Sequence, residues 1–211
     1  MLTQEQINTN KERFISLISS INRDNSDIEG LLNYLKQTGY FEAPASTQYH
    51  SSYKGGLCDH DLKVYDILLH LTSTYAPDKY NLDTIKIIGL LHDVFKSTFY
   101  EQYIKNEKVY SSSGSKYDEM GKYDWIASKN FKVKDSKQRL LLGSKGFNSY
   151  YIVSSFIPLS QEETVAFVNQ YSANDLNENT TDLLPILHKY NLSVYLHSAD
   201  IISSYCIEDD K

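Results

Sequence analysis

The stretch that most constrains the fold is residues 82–96, LDTIKIIGLLHDVFK. It is apolar on most faces, so a helix built from it has no solvent side. That pattern predicts a helix in the middle of a bundle. His92 and Asp93 sit inside this run. Burying an imidazole next to a carboxylate is costly unless something compensates. A metal ion compensates economically, because it needs neutral imidazole and ionised carboxylate together.

Two other stretches repeat the theme. In LHSADIISSY, Asp200 lies among Ala199, Ile201 and Ile202, with His197 three residues earlier on the same helix side. In GGLCDHDLKVYDILL, His60 begins an apolar stripe. His60, the His92–Asp93 pair and Asp200 thus come from three separate helices, which can converge in a bundle core. A single histidine on an apolar face is more often a hydrogen-bonded core residue than a ligand. His70 and His188 have no motif around them and read as structural.

The rest of the chain supplies further helices. Residues 3–21 form an amphipathic pattern with Thr3 as cap, and 26–37 repeat it with Gly39 as stop. Residues 40–56 read as a long loop and 57–76 as a helix. Residues 149–157 and 160–172 read as helices separated by Pro158, with Ser160 as the new cap. Residues 179–207 read as one or two helices, with Pro185 early in the first. Residues 105–148 are polar and read as an insertion with a short hairpin around 123–134. The expectation is one all-α domain over 1–211, a helical bundle carrying that insertion.

Composition narrows the function. The formal net charge of −6 argues against a nucleic-acid coat, which needs a basic face. It leaves room for a small phosphorylated substrate, since a bound metal supplies local positive charge. Eighteen tyrosines are expected on the surface or in clefts, ring packed and hydroxyl wet. Tyr117, Tyr123, Trp125, Tyr150 and Tyr151 could stack a base or pack the insertion onto the bundle. Cys58 and Cys206 are far apart and form no CxxC pair, which suits reduced thiols in a cytoplasmic protein. There is no signal-peptide pattern and no apolar run of membrane-spanning length.

The order H…HD…D resembles the HD superfamily of metal-dependent phosphohydrolases. His50-Ser-Ser-Tyr-Lys-Gly-Gly-Leu-Cys-Asp-His60 resembles the H-x-x-x-x-G-G-L-x-x-H entry of one branch. Residues 90–96, LLHDVFK, resemble its LLHDxxK, and residues 197–200, HSAD, its closing H-x-A-D. APAS at 43–46 resembles small HD proteins of Firmicutes and their phages, which places this chain in the cytoplasm of a bacterial cell or phage-infected host. The resemblance spans about residues 40–205 and implies a bundle fold.

It also implies that His60, His92, Asp93 and Asp200 hold one divalent ion (Mn, Fe, Ni, Co or Mg) that activates a water. The implied activity is hydrolysis of a phosphoric ester or anhydride in a nucleotide or other small phosphorylated compound, with Asp93, Lys96 and His50 in the catalytic group and Lys96, His50 and Lys145 on the substrate phosphate. The chain departs from the pattern in two places. Where relatives carry histidines in G-H-G-E-K-S and R-W-H-M-G, this chain has Lys145 and Gln170, in SKGFNS and FVNQYS. Loss of both histidines implies a single metal. The alternatives are an inactive HD protein that binds a nucleotide or a protein partner and, with less support, a metal-dependent nuclease.

Overall fold

The computed structural model describes residues 2–139, 143–170 and 183–208. Residues 140–142 of the expected insertion, 171–172 of the expected sixth helix and 179–182 of the expected last one lie outside these.

Local signals place the first helices. Thr3 accepts from Gln6 N–H while the Gln6 side chain accepts from Thr3 N–H, a capping box that opens α1 (Gln4–Ser19). Asp27 caps α2 (Ile28–Gln37), which stops before Gly39, where φ is +75°. The Tyr40 N–H returns to the Leu35 carbonyl across that glycine. The loop that follows leads into α3 (Gly56–Tyr75), and Asn81 caps α4 (Leu82–Leu91).

α4 is as central as its composition requires, with Ile87, Ile88, Leu90 and Leu91 fully buried. Each such side chain contributes about 1.5–3 kcal/mol by leaving water. It packs on α3 with Gly89 against Tyr65. A Cβ built on Gly89 would lie 2.8 Å from Tyr65 Cα, so this glycine allows the two backbones to approach. The helix expected over 82–96 is shorter than that: α4 ends at Leu91, and residues Val94–Thr98 form a 3-10 turn.

α5 (Lys145–Ser154) is capped by Ser144 and begins four residues before the expected helix at 149. α6 (Gln161–Asn169) opens with a capping box of Ser160 and Glu163. α7 (Leu183–Lys189) and α8 (Leu192–Ile202) follow, and a π-helical turn, Ser203–Ile207, extends α8. Glu163 is completely buried and takes both Arg23 nitrogens at 2.7 Å, with Thr84 Oγ1 at 2.6 Å. It ties α6 to the α1–α2 connection and to the start of α4.

The all-α expectation is overturned by residues 100–133. They form a three-stranded antiparallel sheet, so the protein is mixed α and β. β1 (Tyr100–Tyr110) and β3 (Gly121–Val133) pair along eleven residues, and β2 (Lys116–Asp118) adds to β3, giving the order β1-β3-β2. The short hairpin expected around 123–134 is not found: Gly121–Val133 run as one strand, β3, and its partners β1 and β2 lie earlier in the chain, where no strand was expected. Tyr, Ile, Val and Trp favour strands here, but charged residues occupy both faces and most of the sheet is exposed. No period-2 alternation betrays such a strand in the sequence. Among the described residues no helix is long and apolar enough to cross a membrane.

Candidate metal centre

Three helical elements bring the expected ligands together. His60 lies in the second turn of α3, His92 is the C-cap of α4, Asp93 begins the 3-10 turn and Asp200 is near the end of α8. His60 Nε2 is 3.2 Å from Asp200 Oδ1 and 3.9 Å from Asp93 Oδ2, and His92 Nε2 is 3.7 Å from the same Asp93 oxygen. Donors at about 2.1 Å from one ion stand about 3 Å apart, so these gaps are near those of a filled shell.

Each imidazole is fixed at its far nitrogen. His92 Nδ1 is 3.0 Å from the Gly89 carbonyl, and His60 Nδ1 is 2.7 Å from Glu208 Oε1. Donation from both Nδ1 atoms turns both Nε2 atoms into the cluster, and the His60 Nε2 lone pair becomes available to an ion once that nitrogen gives up its proton. Both Nε2 atoms are buried and hydrogen-bonded to nothing. His60 Nε2 makes a 3.2 Å ion-pair contact with Asp200 Oδ1. Orphaned imidazole nitrogens among carboxylates are what a divalent ion of the Mn–Zn range accepts. The donor set therefore fits a metal.

Asp61 also belongs to this group: His60, Asp61, His92 and Asp93 are all buried, with ligand-type atoms within 4.8 Å of one another. The sequence reading missed it. Asp61 Oδ1 is 3.6 Å from His92 Nδ1, and Asp61 Oδ2 accepts from the buried Tyr40 hydroxyl at 2.5 Å. It therefore lies along the edge of His92 opposite the inward-facing Nε2, whereas Asp200 faces His60 Nε2. Burial pushes the Asp61 carboxyl up to about 7 against the pull of His92 and His60. Glu208 was missed as well. It accepts from Ser203 Oγ at 2.6 Å and from Ser51 Oγ, and orients His60. Its only sequence trace is an acidic residue in IEDD, which reads as a polar tail.

Charge is balanced around the cluster. Burial works against ionised Asp93, but the Lys96 ammonium, 2.5 Å from Oδ2, and His92 outweigh it and hold the carboxyl at about 2. Asp200 is likewise held low: burial opposes ionisation and His60 overcomes it. Burial by itself would lower the His60 imidazole, but Asp200 and Glu208 raise it to about 10. A group raised in this way stabilises the metal-free chain fully below its unfolded value of about 6.5. That contribution is lost as pH rises through about 10. A metal needs the deprotonated Nε2, so binding at pH 7.5 is expected to release close to one proton. Affinity should rise about tenfold per pH unit up to the His60 value. Calorimetry in buffers of different ionisation enthalpy measures the proton directly, and a pH-independent affinity would contradict it.

A cavity of about 280 Å³ opens beside the cluster. His50, Lys96, Lys145, His197 and Asp200 line it, with Tyr49, Tyr100 and Tyr205. The residues expected at a phosphate, Lys96, His50 and Lys145, thus share one opening. His50 Nε2 is buried with no hydrogen bond. Burial, His60 and Lys96 lower its pKa. Gln170 also reaches the site: its Nε2 donates to the His92 carbonyl at 2.9 Å, and its own carbonyl is 2.8 Å from His197 Nδ1. His197 is therefore held by Gln170 at its Nδ1. His70 and His188 are exposed. Tyr117, Trp125 and Tyr151 are half exposed or more and lie outside the residues lining this cavity, which gives no support to base stacking there. A larger cavity of about 410 Å³ is lined by Leu187, His188, Asn191, Val194 and Tyr195 and has no carboxylate in its wall.

The chain matches no family model, no curated protein and no solved structure.

Proposed function

We propose that this protein is a one-metal phosphohydrolase of the HD type, acting on a nucleotide or another small phosphorylated compound. The observation that carries the reading is the convergence of two orphaned imidazole nitrogens and two ionised carboxylates beside a cavity lined by Lys96, Lys145 and His50. His60, His92, Asp93 and Asp200 would hold the ion. When bound, it would polarise a phosphoryl oxygen and acidify a water molecule.

The chain's own residues supply the rest. Lys145 and Lys96 offer two positive charges to a phosphate, Lys96 as a point charge shared with Asp93. His50, with its pKa lowered and its Nε2 free of hydrogen bonds, is placed to exchange a proton at the cavity wall. Glu208 and the Gly89 carbonyl keep the two imidazoles in register. Lys145 and Gln170 take the places of further histidines, which supports a single ion.

The test is metal content by elemental analysis together with turnover on a panel of nucleotides and a generic phosphate ester, with Mn, Co, Ni and Mg supplied in turn. The expected result is about one ion per chain and turnover that vanishes in Asp93→Ala. Bound metal with no turnover on any compound would favour a binding protein instead. Absence of metal from the wild-type chain would overturn the reading.

A further inference from the structure

The outer edge of β1 is unpaired by any described strand, and its direction can be worked out. Ser111 N–H donates to the Lys122 carbonyl, and Lys134 N–H donates to the Phe99 carbonyl. Peptide groups alternate in direction along a strand. The odd-numbered residues of β1 therefore aim their main chain at β3. Gln102, Ile104, Asn106, Lys108 and Tyr110 aim theirs outward. The pairing with β3 is continuous over eleven residues, and β1 contains no proline or bulge to blunt it. Tyr103, Ile104 and Val109 are 36%, 69% and 43% exposed on this strand.

From this edge we infer that β1 pairs antiparallel with β1 of a second copy of the chain, across a two-fold axis at Asn106. Such an axis is normal to the sheet and keeps each face on its own side, so it must place one residue opposite itself. Centring on Lys105 opposes two lysines, centring on Glu107 opposes two glutamates, and centring on Ile104 places Glu101 against Glu107. Centring on Asn106 places Lys105 opposite Glu107 of the second copy, and the reverse, while Tyr103 meets Val109. Asn106 then faces its own copy, where two amides can hydrogen-bond. The outward peptide groups of 102, 104, 106, 108 and 110 face one another in this register. Centring on Tyr103 also matches charges, Glu101 with Lys105, but engages only residues 100–106 at the base of the strand. The product is a continuous six-stranded sheet with β1 and its copy in the middle.

Sedimentation equilibrium at tens of micromolar tests this with four chains. The wild-type protein is expected at twice the chain mass. Asn106→Pro removes an outward N–H and leaves the β1–β3 ladder intact, so it should be monomeric with an unchanged melting temperature. Glu107→Lys should weaken the dimer at least tenfold, and Lys105→Glu/Glu107→Lys should restore it. Restoration excludes the register centred on Tyr103, where the carboxylate introduced by Lys105→Glu would meet Glu101. A monomeric wild-type chain, a dimer that survives Asn106→Pro, or a double swap that stays monomeric would overturn the inference. None of these outcomes depends on metal or turnover, so it stands or falls apart from the proposed activity.

Discussion

His92→Ala is expected to abolish tight binding of a divalent ion. Binding free energies of about 10–16 kcal/mol shared by four protein ligands put each near 3 kcal/mol, so affinity should fall by about 100-fold or more. His92 has nothing else to do with its Nε2, which is buried and without a hydrogen bond. Glu208→Gln is the comparison. It keeps the shape but weakens the group that orients His60, and such supporting residues are worth about 10–100-fold. Asp200→Asn and Asp61→Asn separate the two candidate carboxylates. Asp200 faces His60 Nε2, while Asp61 lies along the Nδ1 edge of His92 and takes the Tyr40 hydroxyl. The larger loss should follow Asp200→Asn. Isothermal titration with Mn or Co reads all four variants, and a larger loss in Asp61→Asn would move the ion to the other side of His92.

Glu163→Gln is expected to give the largest loss of stability. It removes the charge that pairs the Arg23 guanidinium, whose side chain is only 19% exposed and which keeps the Pro158 carbonyl, and it weakens the acceptor of the Thr84 hydroxyl. Breaking one partner of a buried pair costs about 3–5 kcal/mol, and the partial exposure of Arg23 puts this case at the lower end, near 3 kcal/mol. For a chain of this length each kcal/mol shifts the melting temperature by about 2–4 °C, so a fall of roughly 6–12 °C is expected. The pH dependence has a definite sign. Burial works against ionised Glu163, but Arg23, Thr84 and the Ser160 N–H lower its pKa. Its contribution is present above the unfolded carboxylate value of about 4.3 and is lost as pH falls through the folded one. Calorimetry in a series from pH 7 down to about pH 2 should show the wild-type and Glu163→Gln melting temperatures converging once the pH falls below the lowered Glu163 value. A gap that persists would assign the effect to packing.

Three of the residues offered as ligands, His92, Asp93 and Asp200, stand out in the sequence because each breaks an apolar pattern, while His60 was singled out because it opens an apolar stripe. A His-Asp pair inside IIGLLHDVFK, and an aspartate inside HSADII, are conspicuous against their neighbours. Asp61 was not, since Asp59, His60 and Asp61 form one polar run and the sequence does not say which of them turns inward. Glu208 was hidden by Asp209 and Asp210, which make it look like tail. The helices with side-chain caps, at Thr3 and Ser160, were found at their N-termini because capping chemistry is local. The sheet was not, because a ribbon exposed on both faces has no buried side to impose alternation. Lys96 was expected one α-helical turn after His92, but Val94–Thr98 form a 3-10 turn, and Lys96 Nζ lies 2.5 Å from Asp93 Oδ2, a pairing the sequence did not announce.

The cluster draws on α3, α4 and α8, so Asp200 is more than a hundred residues along the chain from each of the other donors. Contacts of such separation form late, because closing the long loop precedes any reward. A partly folded chain with only α3 and α4 packed would present both imidazoles and Asp93 but lack Asp200 and the Glu208 grip on His60. Under the proposed one-metal reading, tight ion capture would be a clock for the docking of α8. A cobalt absorption band followed in stopped flow would time that one event, while far-ultraviolet dichroism reports the helices that formed before it.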